Sequence, residues 1–585
     1  MIDRIRRIIR AGKGPPALEE DRLIERYVNA YHALLGGGGE VAVECLESLH
    51  QAVSSSLHRG AAAKTIMVSA FLYSALRLPD CMERVDYVVI GASEPVFRAH
   101  GYEDINMWEP APAQARRRKA LFNGQRTLAV CLSSISDIDD LVPSLCAYQI
   151  EWNKMHARLS RLTLVRSLAK GRITASAIGG ALKAALGVST GDYQMLAEVW
   201  GSHWDRKIAA LASAPKSLHL RMLPSDQGGY KKEVKKWWAS IAEHFRDAGI
   251  ERRPLYLVSS NTHSLANLIS GFAYRHRDEL IAHAFDKGSG ELYRTWEWLQ
   301  RDESDAKLNF YYHVQREYVK RNSSLYKIQR TMEENAGLQR FGHERFLDQE
   351  TQIIDVSRIN PDCIDIRVNR RHLNVLKKSS ALILNIDYPL GFSAYYIMSQ
   401  IAEAAANLRG VYVMGKSAAM IGRLGDIMIP SEISDEHTRN RYMFKNCFSV
   451  RNLVAYLSNM AVFDDQKSVT VRGTFLHNWD SVKHLHKEDF TGIEMEAGPY
   501  LSALYEYIHG RPAPRNRQVR IEPPSTFDIG ILHYCSDTPY NVRASLLSSR
   551  MGYAGVEAAY TCALPILQLI LSREICMVMT GEGKA

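Results

Sequence analysis

Two short acidic segments of this 585-residue chain place carboxylates where chemistry is easily built. Glu494, Met495 and Glu496 stand in TGIEMEAG directly after a predicted strand, and Asp537 follows Ser536 at the end of the apolar run FDIGILHYCSD. In α/β sheets, the carboxyl ends of strands face the crevice in which ligands bind. A pair of carboxylates there suits cleavage of a glycosidic bond: one group holds the sugar through an oxocarbenium-like transition state, and a second protonates the leaving group. The second group serves at neutral pH only if its proton affinity is raised or its proton is shared. Both segments also have ordinary structural readings. Acidic residues favour the positive end of a helix, and Ser-Asp after a strand is a common helix cap.

Other segments hold further candidates. In GVYVMGKSAAMIGRLGDIMIPSE, the residues Gly415, Lys416 and Ser417 are read as a small-residue turn whose backbone approaches a sugar or an anion. LYLVSS reads as a buried strand that ends in Ser260, Asn261, Thr262 and His263, ahead of a helix. Arg439 and Arg441 in SDEHTRNRY suit a phosphate, or are solvated loop charge. RGTFLHN offers Phe475 as a flat apolar platform for a base, with His477 nearby, or as core residues. The histidines of HNWDSVKHLH lack the spacing of a metal site, so no metal is expected. G-x-S-x-G and G-x-G-x-x-G are both missing, which sets aside an α/β-hydrolase and a dinucleotide oxidoreductase. In YQIEWNKMH, Tyr148, Glu151, Trp152 and His156 fall at helical spacing and are read as a packed helix.

The elements that must position these residues follow from periodicity. From Ala381 onward, apolar runs alternate with helical patterns: ALILNID, YYIMSQIAEAAANL, GVYVMG, GDIMIPSE, SVTVRGTFLHN, GPYLSALYEYIHG and FDIGILHYCSD. This alternation predicts an α/β, three-layer domain. Residues 1–17 are read as a flexible N-terminus, 18–250 as a helix-rich domain with strands near Val85–Ile90 and Thr127–Ser133, and 251–585 as the α/β domain. A helical, charged insertion is expected at about 275–375. The run Ala563–Leu571 is too short to span a bilayer and is expected to be a buried helix. Nine scattered cysteines without a C-x-x-C pair fit a reducing cytoplasm. A net charge of +9, spread among alternating signs, does not point to nucleic acid, and no membrane association is expected.

Taken in order, these segments resemble the nucleoside phosphorylase and nucleosidase superfamily. The likeness covers about 381–541, with LYLVSSNTHS as the first strand. It implies that Glu496 grips the ribose 2′- and 3′-hydroxyls, Met495 packs on the sugar, Glu494 and Ser536 line the site, and Asp537 protonates or hydrogen-bonds the purine N7. It also implies that Phe475 stacks on the base, that Gly415, Lys416, Ser417 and His263 lie near the phosphate or attacking water, and that Arg439 faces a 5′-phosphate. The segment around Arg423, Leu424, Gly425 and Asp426 is most similar to AMP nucleosidases. Val413 and Met414 stand where phosphorylases carry a phosphate-binding arginine. The expected activity is therefore hydrolytic or phosphorolytic cleavage of a purine nucleoside or nucleotide, with no cofactor and inorganic phosphate as a possible co-substrate. The alternative is a non-catalytic purine nucleotide sensor. The resemblance also implies a homo-oligomer.

Overall fold

The computed structural model describes residues 17–581 apart from 117, 133, 170–171, 225–228, 247–248, 287–289, 302–306, 343–348 and 540–551. Almost all of the segment expected to be flexible, 1–17, lies outside the described residues. The chain forms two compact units. One comprises the chain up to Tyr230 and the segment Arg472–Asp489; the other comprises Lys231–Val471, Phe490–Thr538 and the C-terminal helix. The division falls ahead of the expected residue 250. The helix Gly229–His244 buries Val234, Trp237, Trp238 and Ile241, and the Trp237 indole donates to Thr351 Oγ1 at 3.1 Å, which ties it to the second unit.

The first unit is less purely helical than its sequence suggests. Six strands, β1 (Glu40–Ala42), β2 (Tyr87–Gly91), β3 (Glu109–Pro110), β4 (Ala120–Phe122), β5 (Thr127–Cys131) and β6 (His219–Met222), make one mixed sheet in the order β1-β6-β2-β5-β4-β3. Only β2 and β5 carry the apolar run that marks a strand in sequence; the others are too short to show a period. The long helix α1 (Ile135–Leu159) starts at a capping box, Ser134 with Asp137, and buries Leu141, Leu145, Tyr148 and Trp152. It also buries Asp140, which accepts two bonds from Arg116 (2.9 and 3.0 Å) and one from Arg118 (2.9 Å). These cations hold its carboxyl well below the usual range despite burial.

The second unit is α/β, built on eleven strands. They are β7 (Leu255–Ser260), β8 (Leu338–Phe341), β9 (Thr351–Asp355), β10 (Leu382–Asp387), β11 (Leu408–Ala419), β12 (Ile427–Asp435), β13 (Asn440–Phe444), β14 (Val462–Thr470), β15 (Phe490–Glu494), β16 (Gln518–Ile521) and β17 (Asp528–Asp537). The sheet is not a flat layer. β11 pairs with β17, β17 with β12, β12 with β14, β14 with β15, and β15 returns to β11, so five strands close a ring. From β11 the sheet extends outward through β7 and β10, which run parallel to β11, to β9 and β8, which pair antiparallel. The expected helical insertion is helical only to Asn335; β8 and β9 then bring the chain back to the sheet.

The C-terminal helix α2 (Gly552–Thr580) is longer than the buried run read from sequence. Among the described residues it is the one helix long and apolar enough by composition to cross a membrane, and half of its most apolar stretch is buried in the unit. Of its two buried acids, Glu557 accepts from Ser458 Oγ at 3.0 Å, and Glu574 accepts from Tyr256 Oη and Ser379 Oγ, each at 2.7 Å, and pairs with Arg409.

Candidate functional site

The parallel strands β10, β7, β11 and β17 bring their carboxyl ends to one side of the sheet. Most of the polar residues singled out in the sequence stand there or on the helix α3 (Ala497–His509) that follows β15. The turn between β15 and α3 is built by Glu494. Its buried carboxylate accepts the backbone N–H groups of Glu496 (2.5 Å) and Ala497 (2.8 Å) on one oxygen and the Thr470 hydroxyl on the other. Thr470 Oγ1 in turn accepts the Gly498 N–H at 2.8 Å. The first amides of a helix have no intrahelical acceptor, so these bonds cap it. Burial raises the Glu494 carboxyl to about 7 against the pull of these donors. Glu494 therefore shapes the turn, and its oxygens are occupied by the protein rather than turned to a substrate.

Glu496 is the residue that this turn presents. Its Oε2 lies 3.8 Å from the point a Cβ would occupy on Gly415 of β11, so the missing side chain leaves the space beside the carboxylate. Met495 lies next to it, half-buried, with its carbonyl accepting the Gly391 N–H at 2.8 Å. The expected turn at Gly415, Lys416 and Ser417 is corrected here. All three belong to β11, paired with His533, Tyr534 and Cys535, and the chain turns only after Ala419. Ser417 spends its hydroxyl on the Ile493 carbonyl at 3.1 Å, and Lys416 is exposed.

Asp537 ends β17, half-buried, in register with Ala418 and accepting the Ser536 hydroxyl at 2.9 Å. Its partner Ala418 lies three residues beyond Gly415 on β11, about 10 Å of strand rise, past a register irregularity between Ser417 and Ala418. His263 opens the helix after β7, where Asn261 Oδ1 accepts the N–H groups of His263 (3.1 Å) and Ser264 (2.7 Å). Arg439 sits exposed, with φ of 58°, in the hairpin between β12 and β13. Asp435 holds that hairpin through the Thr438 hydroxyl (2.6 Å) and His437 Nδ1 (2.9 Å).

Phe475 is placed differently from the expectation. It is 1 % exposed in the core of the first unit, where its ring meets those of His50, His58 and Tyr73 at 5.9, 6.5 and 5.3 Å. No face is left for a base. His477 lies in the same unit, its carbonyl accepting the Ser56 N–H at 2.6 Å. β14 ends at Thr470, and the run SVTVRGTFLHN thus divides into a strand and a segment that belongs to another core.

Sequence reasoning passed over the polar groups that gather beside Glu496. Tyr500, one turn along α3, and Tyr388 and Tyr534 all feel its charge. Tyr500 Oη lies beside the Ser259 hydroxyl, and Tyr388 Oη beside Tyr534 and Asn261, close enough to interact. Yet Tyr388 Oη, Tyr500 Oη, Ser259 Oγ and His533 Nδ1 are buried without a well-formed hydrogen bond among the described residues. Burial pushes the His533 ring down to about 4, so it is neutral. Buried polar groups are nearly always paired, so hydroxyls that meet only one another, without good geometry, are candidates for contact with a ligand. The tyrosines were legible as letters in ILNIDYPLG and ILHYCSD, but nothing in a single segment shows that they converge. Among the described residues, no cluster of His, Cys, Asp and Glu is arranged to hold a metal.

Residues 43–572 match a family of unknown function (DUF6909), and the chain belongs to that family. No curated protein matches it. Solved structures similar to part of the chain are 5′-methylthioadenosine/S-adenosylhomocysteine nucleosidases. That of Neisseria meningitidis, in complex with methylthio-immucillin-A, is 13% identical over 42% of this chain and 94% of its own, with a TM-score of 0.28. That of Helicobacter pylori, with butyl-thio-DADMe-immucillin-A, is 8% identical over 55% and 98%, with a TM-score of 0.30. A methylthioadenosine phosphorylase from an Antarctic soil metagenomic library is 10% identical over 33% and 72%, at 0.24. At such scores the functional argument falls to the chain's own residues.

Proposed function

We propose that the second unit binds a purine nucleoside or nucleotide beside Glu496 and cleaves its N-ribosyl bond. The observation that carries this reading is the setting of Glu496: a carboxylate beside a glycine, at the carboxyl ends of parallel strands, among buried hydroxyls that meet one another without well-formed hydrogen bonds and a neutral imidazole. A carboxylate accepts but does not donate, and hydroxyls do both. That combination matches a sugar, whose hydroxyl groups need acceptors and donors together. Asp537, whose partner on β11 lies three residues beyond Gly415, is assigned to the base.

In this reading Glu496 accepts the ribose hydroxyl protons and steadies the positive charge that develops on the sugar. Asp537 donates to the base nitrogen as the glycosidic electron pair passes to the base. Water, or inorganic phosphate as co-substrate, then takes the anomeric carbon. The test is incubation with a panel of purine nucleosides and nucleotides, with and without phosphate, followed by chromatography for free base. Release without phosphate makes the protein a nucleosidase, and release only with phosphate makes it a phosphorylase. Binding without release favours a purine sensor and overturns cleavage. Asp537→Asn should lower kcat at least a hundredfold while changing binding little, as expected for a general acid; an unchanged kcat removes it from the mechanism.

A further inference from the structure

The core of the first unit holds a chain of side-chain hydrogen bonds that stands apart from the Glu496 site. Tyr27 Oη lies 3.2 Å from both His50 Nδ1 and Cys146 Sγ. His50 Nε2 meets His58 Nδ1 at 3.0 Å, and His58 Nε2 meets Glu151 Oε1 at 2.9 Å. Glu151 closes the chain: its Oε2 accepts the Met67 N–H at 2.6 Å, and its Oε1 accepts from the Lys154 ammonium at 2.6 Å. The His58 and Glu151 side chains are 0 % exposed, and Lys154 reaches the surface at 14 %. Tyr27 comes from the helix Ala17–Gly36, His50 from the helix Glu44–Val53, His58 from the turns after it, and Cys146, Glu151 and Lys154 from α1. The other ionisable groups packed around the chain are already engaged. Glu47 accepts from Gln149 at 2.8 Å, and Tyr31, whose ring meets that of Tyr27, donates to Asp139 at 2.6 Å, which also holds His32 and Arg472. Phe475 supplies an uncharged ring against both histidines.

A carboxylate only accepts, so Glu151 sets the direction of every bond in the chain. His58 donates to it from Nε2. A neutral His58 then accepts at Nδ1, which obliges His50 to donate from Nε2, to accept at Nδ1, and to receive the Tyr27 O–H there. Burial raises the Tyr27 phenol well above its ordinary value and the Cys146 thiol to about 12, so both keep their protons. One added proton can be carried without losing a bond between these links. His50 passes its Nε2 proton to Nδ1 of His58 and takes the new proton on its own Nδ1. The Tyr27 oxygen now accepts from His50, and its O–H turns to Cys146 Sγ, which lies within reach. His50 ends neutral in its other tautomer, and the positive charge rests on His58 against Glu151. A second proton would set two N–H groups face to face between the rings; burial, with His58 and Lys154 nearby, holds the His50 ring well below 6.5. We propose that this chain is a one-proton switch, which stores a single proton by reversing its hydrogen bonds from Cys146 to His58 and so carries the core of the first unit intact through the histidine range of pH.

The test is hydrogen exchange of the full chain, read by mass spectrometry on peptides covering 44–58 and α1 and corrected for the intrinsic pH dependence of exchange. Tyr27→Phe removes the oxygen that accepts from His50 in the charged chain. Glu151→Gln removes the carboxylate that faces the charge. In either variant the folded pair refuses a proton that the unfolded chain takes below the ordinary value of 6.5. Stability relative to wild type is therefore unaffected by pH above that value and is lost as pH falls below it. The ratio of exchange rates, variant to wild type, should rise about tenfold between about pH 7.5 and about pH 5.5, the effect of one proton withheld from the folded state. Loss of a contact alone gives a ratio that is the same at every pH. A ratio constant within about twofold over that range, in either variant, overturns the proposal. The two substitutions lie at opposite ends of the chain, so each decides by itself if the other prevents folding.

Discussion

Replacing Glu494 by alanine tests whether the turn that presents Glu496 is held as described. The carboxylate accepts three bonds, two from the first backbone amides of α3 and one from Thr470. Removing it leaves three buried donors without an acceptor, at about 1–3 kcal/mol each. Water entering the vacated space recovers part of this, so a loss of roughly 3–5 kcal/mol is expected. Glu494→Gln is the informative comparison. With its carbonyl on the amide side it keeps both backbone bonds and disturbs only the contact with Thr470, at about 1 kcal/mol. Hydrogen exchange read by mass spectrometry on peptides covering 490–510 reports the opening free energy of this corner, without assuming that a chain of two units unfolds in one step. At about 1.4 kcal/mol per tenfold, exchange in Glu494→Ala should accelerate by at least two orders of magnitude, and in Glu494→Gln by no more than about tenfold. The reasoning is refuted if alanine accelerates exchange less than tenfold, or if glutamine is as damaging as alanine.

Stability against pH should carry two opposite signatures. The Glu494 carboxyl is raised in the folded protein from 4.5 to about 7 by burial, so the folded state holds that proton more tightly. Its contribution is fully present below about 4.5 and is lost as pH rises through about 7, and exchange of the 490–510 peptides should lose this dependence in Glu494→Gln. Asp140 is held low by Arg116 and Arg118, so its contribution is present above the ordinary value of 3.8 and lost as pH falls through its lower folded value. Acid melting of the first unit, followed by exchange of peptides from α1, should be blunted in Asp140→Asn. Phe475→Ala should destabilise the first unit by about 3–5 kcal/mol through the cavity it leaves, measured as faster exchange in the strands β2 and β5. Nucleoside affinity should stay within twofold of wild type, because the ring is enclosed in a core rather than offered to a base; a tenfold loss of affinity with normal exchange would reverse that assignment.

How far the site was legible depended on whether a role lives in one segment or in the meeting of several. β7, β10, β11, β12 and β17 each carry a continuous apolar run and a polar end, and so Glu496 and Asp537 could be placed at strand ends from local pattern alone. Gly415, Lys416 and Ser417 were misread as a turn because small residues are favoured in turns. What keeps them extended is pairing to β17, a partner more than a hundred residues away that no local window contains. Phe475 and Glu494 show the same limit for side chains. An aromatic after a strand and an acid before a helix look alike whether they face a ligand or a core, and only burial and partners separate the two.

The sequence by itself determined the α/β class of the second unit, the strand-end position of its carboxylates and the amphipathic helices around them, because period and chain order are local properties. Tertiary structure decided the rest. It divided the chain at Tyr230, drew residues 472–489 into the first core, closed five strands into a ring, and set Tyr388, Tyr500, Ser259 and His533 around Glu496. These outcomes depend on which buried surfaces and hydrogen-bond partners meet across long separations. That choice is made by the packing of the whole chain, and no short stretch of residues encodes it.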